Sequence, residues 1–193
     1  PLGLAVGNAL EVKEAIATLH GQGPRDFVEL VTEAGAIMLE QAHLVKTHEE
    51  GVKRIQDAIA DGSGFEKQKQ LFAAQGGDIS YLEHPEKFPL ARYQTPILAA
   101  KSGYVKRIDS LTIGVSAMKL GAGRATMQDE IDMSAGIVLQ KKVGDYVEKG
   151  ETLAIAHTNK TGVEDVLKDI HDAFVLTEEQ VVVHPIVHAY IHK

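Results

Sequence analysis

The chain contains no cysteine among its 193 residues. That excludes a disulfide framework and any thiolate zinc site, and it fits a reducing compartment. A basic excess is also missing, since 20 Lys and Arg stand against 27 Asp and Glu for a net charge of −7. Nucleic acid is therefore not an expected partner, because such binders carry clustered positive charge. A local basic pocket for an anion is compatible with this balance, since net charge does not describe a site. No apolar run approaches the roughly 20 residues that cross a bilayer, so no membrane partner is expected. The amino terminus lacks a basic stretch leading into an apolar one, which argues against a signal peptide and makes the cytoplasm the expected location. An initiator Met is absent too. The chain opens inside what reads as a short apolar strand, Pro1 to Val6, as a piece of a larger domain would.

What is present is an ordinary globular balance, 44% apolar and 24% charged. Residues 1–75 read as a strand followed by helices. Asn8 is a candidate N-cap after Gly7, and Ala9, Val12, Ile16 and Leu19 recur at helical spacing until Gly21. Pro24 is placed at the first position of a second helix, with Asp26 near the positive end of its dipole. Its apolar stripe is Phe27, Leu30, Val31, Ala34, Ile37 and Met38. Thr47 and Glu50 resemble a capping box that opens a third helix ending near Gly62. A fourth helix is expected over 65–74. These stripes need a sheet or partner helices to cover them. Residues 76–93, with Gly76-Gly77, Pro85 and Pro89, read as a linker.

Beyond it the pattern turns to short strands, expected at 97–100, 104–108, 137–143, 152–157 and 180–183, with helices over 111–120 and 163–174. The expected fold class is thus α/β plus α+β: residues 1–75 belong to an α/β domain and residues 94–193 form a smaller α+β domain.

Several motifs invite a chemical reading. Gly3 and Gly7 before a helix would let a backbone approach an anion, yet a strand-to-helix turn needs glycine anyway. Leu120-Gly121-Ala122-Gly123-Arg124 lacks the Lys-Ser/Thr of a phosphate loop and follows a helix, so a C-cap is the better account. His184, His188 and His192 recur every fourth residue, which in an extended strand puts them on one side. No acidic residue accompanies them, and a polar strand face is expected there. Val143-Gly144-Asp145-Tyr146-Val147-Glu148-Lys149-Gly150-Glu151 resembles the strand-turn-strand of biotinyl and lipoyl carrier domains. The alternative function is accordingly a covalent cofactor carrier with Lys119 as acceptor. Against it, Lys119 precedes the glycine turn and lies in a helical pattern.

Longer blocks are more specific. Ala5-Val6-Gly7-Asn8-Ala9-Leu10-Glu11-Val12-Lys13-Glu14, then Gly21-Gln22-Gly23-Pro24-Arg25-Asp26, resemble the thymidine and pyrimidine-nucleoside phosphorylase family. So do Ala73 to Asp78, Leu120 to Arg124 and Val143 to Glu151, in the family's order across nearly the whole chain. The resemblance implies the C-terminal half of an enzyme that phosphorolyses uridine, thymidine or deoxyuridine. Inorganic phosphate and a pyrimidine nucleoside are the implied partners, with the N-terminal half and, in the intact homodimer, a second copy. A role in nucleoside salvage follows.

The family's phosphate- and base-binding motifs are not in these residues, so no catalytic or substrate-binding residue is carried over and the chain alone is expected to be inactive. One constellation does carry over. Bacterial members bind a potassium ion, and alignment on the motif places its ligands at the carbonyls of Leu2 and Ala5 and the carboxylate of Glu14. A hard cation takes such oxygen donors. Whether the enzyme is thymidine-specific or broad is not legible here.

Overall fold

The structure is a computed structural model that describes residues 1–124 and 126–191. It divides into two compact units. One holds Gly3–Val12 and Phe88–Val183; the other holds Lys13–Lys87 with the segment from His184.

The first unit is built on two antiparallel sheets. A four-stranded sheet runs in the order β1 (Ala5–Val6), β4 (Gly136–Leu139), β6 (Thr152–Thr158), β2 (Tyr93–Leu98). A three-stranded sheet runs β5 (Tyr146–Val147), β3 (Gly103–Ile108), β7 (Phe174–Thr177). The interior strand β6 alternates in burial, with Ala154 and Ala156 fully enclosed. β2 lies at a sheet edge, which is where Pro96 is tolerated, since proline cannot donate to a second neighbour. Two helices complete the unit, α6 (Ser110–Ala117) and α7 (Glu164–Asp172). Asp109 caps α6 by accepting from the Thr112 amide at 2.9 Å, and that bond holds its carboxyl below the usual range. The core gathers Val105, Ile113, Leu120, Ile137, Leu139, Val147, Leu153 and Ile170.

The second unit is helical. α1 (Asn8–Leu19), which enters this unit at Lys13, leads into α2 (Arg25–Gln41), α3 (His48–Ala60), α4 (Ser63–Ala74) and the short α5 (Ser80–Glu83). A 3₁₀ turn at Pro85–Lys87 follows, so residues 76–93 carry local structure. The Thr47–Glu50 cap forms as expected: the Glu50 amide donates to the Thr47 hydroxyl at 3.3 Å, and the Glu50 carboxylate accepts from the Lys46 amide at 2.8 Å. Buried Gly51 lets α3 cross closely over α2, because a Cβ there would stand 2.9 Å from the Ala36 Cα. The apolar stripes are only partly covered. Val31, Met38, Leu44 and Leu71 remain exposed.

Several expectations need correction. Gln180–Val183 forms no strand. The chain instead pairs Phe174–Thr177 with β3, ending α7 at Asp172 rather than at Phe174. The helix expected over 111–120 is split, with α6 passing into a π-helical turn at Met118–Ala122. Pro24 is the N-cap of α2, not its first residue. Asn8 is the first residue of α1, and its side chain donates to the Ala122 carbonyl at 2.9 Å. The Glu11 carboxylate instead accepts from the Gly7 amide at 2.9 Å.

In the helical unit the segment from His184 is tied down by Tyr190, whose hydroxyl donates to the Glu33 carboxylate. The same carboxylate lies 2.8 Å from His48 Nε2. The Tyr190 and His48 bonds lower the Glu33 carboxyl below its ordinary 4.5, and the bond to Glu33 raises the His48 imidazole above 6.5. A lowered carboxyl stabilises above its unfolded value, and a raised imidazole stabilises below its own. The pair is therefore fully engaged between pH 4.5 and 6.5. The stability difference between the wild type and H48Q, read by urea denaturation, is expected to shrink as pH climbs from 6.5 through the raised His48 value. A difference that stays constant would show that the pair does not form. For the sheet unit, I170A removes a fully buried side chain. It is expected to cost roughly 2–5 kcal/mol in the same assay.

Candidate functional site

The opening segment is placed by a backbone crossing. β1 pairs antiparallel with β4, Ala5 opposite Val138 and Val6 opposite Ile137. Just past this pair the two chains come closer than side chains allow. A Cβ on Gly136 would stand 2.3 Å from the Val6 carbonyl oxygen, and one on Gly7 2.5 Å from that of Ala135. Both glycines have positive φ, 154° and 142°. This crossing is the physical reason for glycine at position 7, and the anion-cradle reading does not survive it. The start of α1 already carries an anion, the Glu11 carboxylate on the Gly7 amide, so a phosphate would meet negative charge.

Leu2, Ala5 and Glu14 fall in different surroundings. Leu2 is exposed, Ala5 is half-buried in β1, and Glu14 is half-buried in α1 with its carbonyl accepting from the Thr18 hydroxyl at 2.7 Å. Ala5 belongs to the sheet unit, Leu2 and Glu14 to the helical one.

The donors around Leu2 show what this segment can hold. The ammonium of half-buried Lys142 donates to the carbonyls of Pro1 and of Gly3, the latter at 2.7 Å. The Leu4 carbonyl accepts from the Leu139 amide at 2.8 Å. An ammonium ion is close to potassium in size and takes the same oxygen donors. Its presence on two carbonyls of this segment therefore fits the donor chemistry of a monovalent cation. Sequence reasoning missed Lys142, which sits in a block legible only as a strand and turn.

The other motifs resolve without a ligand. The carbonyls of Leu120, Gly121 and Ala122 accept from the Thr158 hydroxyl at 2.7 Å, the Asp132 amide at 2.9 Å and the Asn8 side chain at 2.9 Å. That is a helix C-terminus, as expected, and not a phosphate loop. Asp132 is lowered from its ordinary value although burial acts the other way, because Ser134 and Asn159 donate to it. Lys119 pairs with Asp169 at 3.0 Å in the π-helical turn, and no hairpin presents it. The Gly144 turn joins β4 of one sheet to β5 of the other. The rings of His184 and His188 stand 6.5 Å apart on irregular chain, and His192 lies outside the described residues. Among the described residues no group of three or more His, Asp or Glu could hold a metal ion. One further cleft, of about 390 Å³, lies in the helical unit between Arg25, Glu29, Thr32 and Gln56.

Residues 104–177 match the family described as pyrimidine nucleoside phosphorylase C-terminal domain. Over all 193 residues the chain is 47% identical to the pyrimidine-nucleoside phosphorylases of Staphylococcus aureus strains USA300 and NCTC 8325, covering 43% of their length. Half of each relative or more thus has no counterpart in this chain. Residues 104–177 therefore carry the C-terminal domain of the pyrimidine-nucleoside phosphorylase family, and the chain as a whole is similar to the C-terminal part of such proteins. The carrier alternative is not favoured. No helix among the described residues is long and apolar enough to cross a membrane.

Because the Gly7–Gly136 crossing places the whole opening segment, G136A is expected to destabilise the chain by more than about 1 kcal/mol. Amide exchange at Leu139, whose acceptor is the Leu4 carbonyl, should rise with it. Wild-type protection at Leu139 in G136A would contradict the crossing.

Proposed function

We propose that the intact protein catalyses the reversible phosphorolysis of pyrimidine nucleosides. In this reaction an oxygen of inorganic phosphate bonds to the anomeric carbon of the sugar as the bond from that carbon to the base nitrogen breaks. The base leaves with the electron pair and a pentose 1-phosphate remains. Catalysis of this kind depends on held phosphate and on stabilisation of charge as it develops on the base. The observation that carries the reading is 47% identity to named phosphorylases along the entire chain. Uridine, thymidine and deoxyuridine are the proposed substrates, in nucleoside salvage in the cytoplasm, by a homodimer.

Residues 1–75 are proposed as the closing part of a larger α/β domain, with 76–93 as linker and 94–193 as the C-terminal domain. No residue of this chain is assigned to bond making or breaking. Its contribution to the functional site is proposed as the potassium ligands: the Leu2 and Ala5 carbonyls and the Glu14 carboxylate. A bound potassium ion would supply a fixed positive charge that neutralises Glu14 and holds the carbonyl segment in place.

The test uses uracil release from uridine and phosphate. The 193-residue chain alone is expected to release none, whereas a polypeptide of the full length of its relatives should do so. Release by the short chain would overturn the assignment of catalysis to residues outside it. In the active full-length protein, E14Q is expected to raise the potassium concentration needed for half-maximal thermal stabilisation by about tenfold, the loss of one charged ligand. An unchanged potassium response would remove Glu14 from the site.

A further inference from the structure

The Lys142 ammonium is held from both ends. Its own backbone is fixed in a tight turn: the Lys142 amide donates to the Asp145 carboxylate at 2.7 Å, and the Asp145 amide returns to the Lys142 carbonyl at 3.1 Å. Gly144 makes that turn with φ of 96°, and its amide is anchored to the Val105 carbonyl at 2.9 Å. From this base the side chain reaches back 139 residues in sequence to the Gly3 carbonyl, and further to that of Pro1. Gly3 has φ of 66°, a left-handed conformation that sharply turns the chain between Leu2 and Leu4. A left-handed turn next to a two-residue strand is a weak element by itself. A half-buried charge needs its donors satisfied, and the Pro1 and Gly3 carbonyls are two of the acceptors that the fold supplies.

We propose that Lys142 is the positioning residue of the amino-terminal carbonyl segment: a tethered ammonium that gathers the Pro1 and Gly3 carbonyls and thereby fixes the direction of the peptide units around Leu2 and the pairing of the segment with β4. The lysine does there what a free monovalent cation of similar size would do. The inference does not rest on the Leu2–Ala5–Glu14 reading, because it concerns the neighbouring carbonyls and is tested without potassium ligation or catalysis. It also makes the segment's order independent of the salt present, since the cation is covalently supplied.

Amide exchange of Leu139 by NMR on the 193-residue chain reads the segment directly, since its acceptor is the Leu4 carbonyl. In choline chloride, K142A is expected to speed this exchange about tenfold, the loss of one charge-assisted interaction, while amides of α7 stay protected. Ammonium or potassium chloride at the same ionic strength should restore much of the protection, and lithium chloride should not. K142Q, which keeps most of the stem and so its packing, should show the same acceleration with weaker rescue. K142R should exchange like the wild type. Unchanged exchange at Leu139 in either neutral variant would overturn the proposal. Acceleration that is identical in every salt would also overturn it, because packing of the stem and not the cation would then hold the segment.

Discussion

The crossing of Val6–Gly7 over Ala135–Gly136 is the constraint from which the rest of the amino-terminal arrangement follows. Two backbones meet there at a separation that no Cβ could occupy on either side. Once they meet, β1 can be only two residues long, because the chain must turn away at Gly7 to start α1. The same crossing brings the Ala9 amide to the Met133 carbonyl at 3.0 Å and the Asn8 side chain to the Ala122 carbonyl at 2.9 Å. The helix is therefore started by tertiary contacts as well as by the Glu11 carboxylate. Of the carbonyls that precede β1, that of Leu4 then accepts from the Leu139 amide and those of Pro1 and Gly3 accept from Lys142.

The sheet unit shows the same economy elsewhere. Fully buried Ala154 and Ala156 on β6 keep that interior strand thin, while Leu153, Ile137 and Leu139 fill the space around it. Thr158, 1% exposed, satisfies its hydroxyl by donating to the Leu120 carbonyl, which closes the π-helical turn. Lys160 adds an ammonium to the Lys119 carbonyl at 2.9 Å. A helix C-terminus favours positive charge, and here it receives one from the end of β6. This turn follows α6 in a block whose glycines look like a nucleotide motif. In the folded chain those glycines make a helix stop.

Local features were legible from residues alone, and non-local ones were not. The Thr47–Glu50 cap and the helices over 8–19, 25–41 and 48–60 depend on contacts three or four residues apart, which is the range a sequence pattern reports. β7 depends on β3, some seventy residues earlier, and its four residues carry no alternation that separates them from the end of α7. Val181, Val182 and Val183 have high strand propensity, yet they lack a neighbour to pair with, and propensity without pairing makes no strand. Glycine at position 7 was legible as a turn. Its reason was not, because Gly136 lies far off in sequence. Lys142 stayed unmarked for the same cause: nothing near it in the chain announces that two carbonyls at the other end of the sequence are its partners.

These observations also explain why family resemblance and local chemistry diverge in this chain. The blocks that carry the resemblance are rich in residues with strict geometric duties. Gly7 permits the crossing, Gly121 ends a helix at φ of 123°, and Gly144 makes the turn that carries Lys142. Such positions tolerate little change because a Cβ collides or a left-handed backbone is strained, and no ligand is required to explain them. A chain can therefore be 47% identical to named phosphorylases along its whole length while these glycine-bearing blocks serve the scaffold. What such a scaffold aims is its backbone carbonyls: those of Pro1 and Gly3 have no residue-type signature, and both accept from a lysine 139 or more residues away in the chain.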